Sequence, residues 1–214
     1  MANVVKALSG VCTLDDIRIA FESDHELVSA DVTVEPDPHN RVIEISGVFK
    51  DRRASEWVGK FVRKIEMVDK RFRVHHSVIE IDPRYWRRGI AREHYTRAIR
   101  FYYGTLHADQ VYMKADFLGP SVWGDFGFEF TEPDWDLLMR ALDLVHQSHY
   151  GCPPEFYPKS ATELANLIGD EGFEIGIEVI GMVHAGAKDS GGLKMVLNLD
   201  DEGTIEFLRD EGIL

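Results

Sequence analysis

Residues 74–91 read V-H-H-S-V-I-E-I-D-P-R-Y-W-R-R-G-I-A, and the change of period inside this stretch decides the fold. Residues 72–82 are rich in β-branched and aromatic types and are expected to form a strand. Asp82-Pro83 stops it, and Arg84 to Gly89 make a tight basic turn. From Ile90 the period becomes 3.6, with Ala91, Tyr95, Ala98, Ile99 and Tyr102 on one face of a helix expected to reach about Leu106. A glycine at such a junction lets the backbone come close to a ligand, and the helix's first N–H groups then point at it. That suits a phosphate. Arg84, Arg87, Arg88 and Arg92 supply charge able to pair with phosphate oxygens. The other reading of the same residues is a plain β–α junction with solvated arginines, since single-glycine turns are common.

Upstream, alternation predicts a run of antiparallel strands. Thr13-Leu14-Asp15-Asp16 is expected to cap a short turn and lead into a strand-like Ile17 to Phe21. Val28 to Val34 alternates again, Glu35 to Asn40 is a turn, and Arg41 to Lys50 is a third strand. The segment 54–59 breaks the pattern; Phe61 to Val68 and Phe72 to Asp82 then form two strands about Asp69-Lys70. Downstream, Gln110 to Ala115 is a short strand, Gly119-Pro120 starts a helix ending at Gly127, and Phe128 to Phe130 begins another strand. Trp135, Leu138, Leu142 and Val145 recur at helical spacing between Asp134 and His149, and Thr162 to Ile168 is a further short helix. Gly181 to Gly192 is expected to be a mobile loop, Leu193 to Leu199 a strand, and Gly203 to Glu211 a terminal helix.

The 214 residues suffice for one well-buried domain. No apolar run approaches the ~20 residues that span a bilayer. The opening M-A-N-V-V-K-A-L-S-G-V-C has a faint look of a lipoprotein signal but is too short and lacks a basic leader, so a cytoplasmic location is expected. Two cysteines, Cys12 and Cys152, make no disulfide framework and no C-x-x-C pair. Net charge is −13, unevenly spread: residues 50–100 carry 15 Lys and Arg against 7 acids, a balance of +8, which leaves −21 elsewhere. The basic window coincides with the turn. It would attract a polyanion while the acidic remainder attracts a cation, or the acids serve solubility alone. A pI near 5.1 and the lack of a basic-aromatic motif argue against nucleic acid.

The chain resembles the GNAT (Gcn5-related) N-acetyltransferases. Their signature, Q/R-x-x-G-x-G/A after a strand and a Pro-x-Tyr turn, is similar to Trp86-Arg87-Arg88-Gly89-Ile90-Ala91, which matches at Gly89 and Ala91 with Pro83 and Tyr85 ahead of it; Trp86 departs at the first position. A-D-F-L-G-P-S-V-W-G-D-F-G-F resembles the family's N-x-x-A-x-x-x-Y-x-x-x-G-F segment: Asp116 stands for Asn, Gly119 for Ala and Trp123 for Tyr, and Gly127-Phe128 match outright. The likeness covers residues 41–130 and implies a single domain with a GNAT-like mixed, mostly antiparallel α/β sheet, a β-turn-helix-β cofactor unit and a helical C-terminal extension. The core would span about 14–130, with an atypical helical insertion and last strand over about 131–214.

By resemblance the co-substrate is acetyl-CoA or another acyl-CoA, its pyrophosphate held by Trp86, Arg87, Arg88, Gly89, Ile90 and Ala91. Asp116 and Trp123 belong to the second segment's cofactor contacts. Amine acylation needs a base for an amine of pKa near ~10, donors for the tetrahedral oxyanion, and in many enzymes an acid for the leaving thiolate. The family's strand base lies fourteen residues before the signature glycine, which reaches His75; Glu80 is a second candidate, and a one-residue insertion would exchange His75 and His76 across the sheet. Backbone N–H groups around Ile79 to Ile81 would hold the oxyanion. Trp123 donates a hydrogen bond but gives up no proton at neutral pH, so the acid is dispensed with or supplied by Tyr112. His146, His149 and Cys152 have metal-like spacing but are expected to face solvent, and no hydrolase, zincin or P-loop motif is present. The expectation is an acyl-CoA-dependent N-acyltransferase acting on a primary amine of a basic small molecule, peptide or protein, with the oligomeric state open. The alternative is a GNAT-fold binding protein without catalysis, motivated by Trp86 and Trp123.

Overall fold

The structure, a computed structural model, describes residues 4–37, 42–115, 119–169, 172, 174–186 and 192–214. It is a mixed α/β fold with seven strands in the order β1-β2-β3-β4-β5-β7-β6. The strands are β1 (Val28–Asp37), β2 (Val42–Asp51), β3 (Trp57–Val68), β4 (Arg71–Ile81), β5 (Ala108–Ala115), β6 (Glu129–Phe130) and β7 (Leu193–Asn198). The β1–β2, β2–β3, β3–β4 and β6–β7 pairs are antiparallel, so the expected mostly antiparallel sheet is present. Eight α-helices lie among the described residues: α1 (Val4–Leu8), α2 (Leu14–Phe21), α3 (Ile90–Phe101), α4 (Gly119–Gly124), α5 (Glu132–Tyr150), α6 (Ala161–Ala165), α7 (Ile175–Gly186) and α8 (Glu202–Asp210). None is long and apolar enough to cross a membrane.

The backbone divides into two compact units, residues 1–111 with 198–214, and residues 112–197. In the first unit, β3 and β4 join through Asp69 (φ 50°) and Lys70 (φ 69°), with Val68 paired to Arg71. Two left-handed residues between paired strands make a type I′ turn, whose twist matches that of the strands. The core packs α2 and α3 on the sheet through rings: Phe61 lies 5.8 Å from Phe21, 5.3 Å from Phe49 and 4.2 Å from His94. In the second unit, α5 packs against α7. Leu138, Leu142 and Val145 on α5, and Val179 and Ile180 on α7, are buried.

Two segments differ from the sequence expectation. Ile17 to Phe21 is helical, within α2, instead of extended. Thr13 Oγ1 accepts from the Asp16 N–H at 3.1 Å and Asp16 Oδ2 accepts from the Thr13 N–H at 2.8 Å, a reciprocal cap that fixes the first turn. Ile17 and Phe21, four apart, are buried, whereas Ile19 between them is 51% exposed, which decides for the 3.6 period over the alternating one. Likewise Gly181 to Gly186, expected in a loop, complete α7; Ile175, Val179 and Ile180 bury one face of that helix. Residues 187–191 of the expected loop lie outside the described residues. The helix α1 (Val4–Leu8) has no counterpart in the sequence reading. Elsewhere the differences are at boundaries: β1 continues to Asp37, β3 begins at Trp57, and α3 ends at Phe101 with a π-helical turn, Tyr102–Leu106, completing the expected helical run.

Candidate anion-binding turn and active-site strand

The expected β-turn-helix-β unit is β4, the turn 82–89, α3 and β5. Asp82 Oδ1 accepts from the Arg84 N–H at 2.9 Å and opens a 3-10 turn, Pro83–Tyr85, that ends β4. Tyr85 Oη donates to Asp51 Oδ2 at 2.9 Å, which ties the turn to the end of β2, and Trp86 Nε1–H donates to the Ile81 carbonyl at 2.7 Å. The indole is otherwise outward, 63% exposed.

Arg87 (φ 58°) and Gly89 (φ 82°) both take left-handed backbone, and Gly89 is the N-cap of α3 with no side-chain cap. The first backbone donor of the helix to find an acceptor is Glu93 N–H, on Gly89 O at 2.9 Å. Among the described residues, the amides of Arg87 through Arg92 meet no backbone acceptor. They form a row of open donors at the positive end of a twelve-residue helix.

The arginines divide into two groups. Arg84 pairs with Asp82 at 2.8 Å and Glu56 at 3.7 Å, and Arg92 pairs with Glu211 at 3.3 Å. Arg87 and Arg88 have no carboxylate partner among the described residues; the Arg88 guanidinium lies 5.4 Å from the Tyr85 ring centroid. The cations left for a ligand are therefore these two.

One contributor to the turn escaped sequence reasoning. His25 Nε2–H donates to the Arg88 carbonyl at 2.9 Å, while its Nδ1 accepts from the Leu27 N–H at 3.2 Å, which fixes the ring tautomer. Arg52 holds the same loop through the carbonyls of Ser23 (2.8 Å) and His25 (2.9 Å). A groove of about 490 Å³ runs from Gly89 along α3, between His25 and the Arg92, Thr96 and Arg100 side. Nothing in the local sequence marks His25, because its partner is 63 residues away. Beside the groove, burial raises the Glu93 carboxyl above its usual range against the Ser23 hydroxyl hydrogen bond that lowers it.

The active-site candidates on β4 are sorted by a bulge. Val62 pairs with Val78 but Arg63 pairs with His76, so Ser77 is the extra residue. Lys64 pairs with His75 and Lys60 with Glu80; the two lysines are four apart on β3, so His75 and Glu80 share one face despite their odd spacing. His76, Ile79 and Ile81 belong to the opposite face, where His76 pairs with buried Arg63 and Ile79 with buried Phe61. His75 Nδ1 lies 3.1 Å from Ser77 Oγ, and Glu80 Oε2 lies 3.0 Å from Lys60 Nζ.

Beneath the bulge is a polar cluster in the core. Arg63, 1% exposed, donates from Nη1 to the carbonyls of Val62, at 2.9 Å, and of Val78. Burial pulls its pKa down to about 10. His76 Nε2 lies 3.2 Å from Tyr102 Oη, and burial, reinforced by Arg63, holds His76 and His94 well below the ordinary 6.5. Neither imidazole is charged at neutral pH.

Of the remaining candidates, Ile90 is buried and Ala91 half-buried on α3, Tyr112 is half-buried on β5, and Asp116 lies outside the described residues. Trp123 is on α4 in an aromatic group, 5.7 Å from both Phe126 and Phe128. Gly127 (φ 83°) turns the chain into β6, with Phe128 N–H on Trp123 O at 3.1 Å. His146 Nδ1 meets the Cys152 carbonyl at 2.8 Å and His149 Nε2 meets Glu178 at 3.2 Å, so the H-x-x-H-x-x-C side chains have separate partners.

No protein-family model and no curated protein matches the chain. Among solved structures it is similar to Arabidopsis thaliana Naa50 in complex with a bisubstrate analogue, CoA-Ac-MVNAL, at 15% identity over 41% of this chain and 58% of that one, TM-score 0.36. It is similar to a spermidine N-acetyltransferase SpeG chimera from Vibrio cholerae and hSSAT at 20% identity over 41% and 54%, TM-score 0.33. A third is nourseothricin acetyltransferase, at 15% identity over 56% and 81%, TM-score 0.35. The chain thus spans little more than half the length of the first two. The second and third are acetyltransferases by name.

Proposed function

We propose that the protein is an acyl-CoA-dependent N-acyltransferase whose co-substrate pyrophosphate sits on the Arg87–Ala91 turn. The observation that carries this reading is the row of open amides from Arg87 to Arg92 at the N-terminus of α3, with left-handed Gly89 and two arginines without a carboxylate partner beside it. A dianionic pyrophosphate satisfies donors that protein groups leave open, and the helix dipole adds to the attraction.

On β4, His75 is the proposed base, because its ring lies on the exposed face and Glu80 is engaged by Lys60. His75 takes a proton from the ammonium of the acceptor; the amine nitrogen then attacks the thioester carbonyl, and backbone N–H groups of 79–81 hold the oxyanion. The C–S bond breaks as the carbonyl re-forms. The nitrogen of the tetrahedral intermediate gives its second proton to water, and the thiolate, of ordinary thiol pKa near ~8.5, takes a proton from water as it leaves. The acceptor is proposed to be a cationic primary amine, and the acyl group acetyl or longer.

Calorimetric titration with coenzyme A, acetyl-CoA and a long-chain acyl-CoA tests the reading. Micromolar binding, about −8 kcal/mol, that is lost in Gly89→Val supports it. Unchanged affinity in Gly89→Val removes the turn from the site. Binding without turnover across a broad panel of amines favours the non-catalytic alternative.

A further inference from the structure

We propose that the second unit carries a separate binding site for an organic cation, an ammonium group on a short apolar chain, in the cavity between α4, α6 and the start of α7. The cavity holds about 450 Å³, the size of a small-ligand pocket. Its walls are of two kinds. Val122, Leu167, Ile168 and Ile177 supply apolar surface, and Val122 and Ile168 remain 51% and 64% exposed there, with no packing partner to cover them. Asp125 and Glu174 supply carboxylates, and neither meets a cation among the described residues.

Close backbone contacts hold together the elements that border the cavity. A Cβ on Gly176 would come within 1.8 Å of the Leu164 carbonyl oxygen, and one on Gly124 within 3.0 Å of the Thr162 nitrogen. Backbones of α6 and α7, and of α4 and α6, therefore meet closely, which fixes the spacing of the elements that border the cavity.

Charge selects the occupant. Residues 112–197 carry 5 Lys and Arg against 14 Asp and Glu, a balance of −9, so an anion is repelled from this unit. A neutral apolar molecule makes no use of the two carboxylates that line the cavity; a cation pairs with them. A bare metal ion makes no use of four apolar walls, and no group of three metal-ligating side chains occurs among the described residues. An alkylammonium uses both kinds of wall. This site does not depend on the acyl-transfer reading and is tested without acyl-CoA.

The test is titration of the full chain with n-hexylammonium, n-butylammonium and n-hexanol by calorimetry, with methyl shifts of Ile168 and Ile177 as a local readout. Hexylammonium is expected to bind once per chain, at least about tenfold more tightly than hexanol, with roughly fourfold gained per methylene over butylammonium. The double variant Asp125→Asn, Glu174→Gln, nearly isosteric and on the surface, is expected to lose about tenfold in affinity for the ammonium and nothing for the alcohol. Equal binding of alcohol and ammonium, unchanged affinity in the double variant, shifts elsewhere than at these isoleucines, or no binding at about 10 mM would each overturn the proposal. Coenzyme A titration of the same variant reports on the first unit's turn separately.

Discussion

Gly89 is the residue on which the turn depends. Its φ of 82° costs an L-residue with a Cβ roughly 1–2 kcal/mol. The space around it is open, since the nearest atom to an added Cβ is His25 Nε2 at 3.8 Å. Gly89→Ala should therefore lower stability by about that amount and weaken coenzyme A by a further factor, because the methyl stands where the ligand approaches. Urea midpoints and calorimetry on one protein sample separate the two effects. At β4, His75→Gln should reduce kcat/KM by about 10²–10⁴. Glu80→Gln, which breaks only an exposed ion pair, should leave kcat/KM nearly unchanged. The reverse pattern would transfer the base to Glu80.

Among the elements, the β4 bulge has the widest consequence, because one extra residue puts His76 into the core and turns His75 and Glu80 outward together. The buried cluster below it makes folding sensitive to acid. With His76 and His94 held neutral in the folded protein, the unfolded chain binds the extra protons. Their contribution is whole above about pH 6.5 and is lost as pH falls, with a limiting slope near 2.7 kcal/mol per pH unit for two sites. Glu93, raised by burial, has the opposite sign: its contribution is present at low pH and lost as pH rises above its ordinary 4.5. Denaturant midpoints between about pH 7.5 and 5.5 should show the loss, and His94→Phe should remove about half the slope. In α7, two glycines of one helix give opposite predictions. Gly176→Ala drives a methyl into the Leu164 carbonyl and should cost about 2–3 kcal/mol or more. Gly181→Ala meets nothing within 4 Å and should stabilise by roughly 0.5–1 kcal/mol.

For the whole molecule, the uneven charge sets how a polyanion arrives. The window 50–100 is +8 in a chain of net −13, so this is the part whose charge would draw the proposed coenzyme A. Its affinity should fall as salt rises and the Debye length shortens from about 10 Å at 0.1 M to about 3 Å at 1 M. Titrations across that range check the prediction, and an affinity indifferent to salt would place the ligand away from Arg87 and Arg88.

The sequence by itself determined the order of elements from β1 to α6, then β7 and α8, and the strand-turn-helix at 72–101, because period, proline and glycine act within a few residues. The same locality explains its two errors. Ile17, Ile19 and Phe21 satisfy periods of two and of four equally, until a core buries the first and third and leaves the second exposed. The glycines after 180 read as a loop until the burial of Ile175, Val179 and Ile180 on one face carries a helix through Gly181 to Gly186. Only the tertiary structure decided which candidates share a face, since the bulge arises from pairing between β3 and β4 and leaves no mark on β4 alone. It alone supplied His25 at the turn, Arg63 beneath the bulge and the cavity between α4, α6 and α7, each made by residues distant in the chain and brought together by the burial of their apolar neighbours.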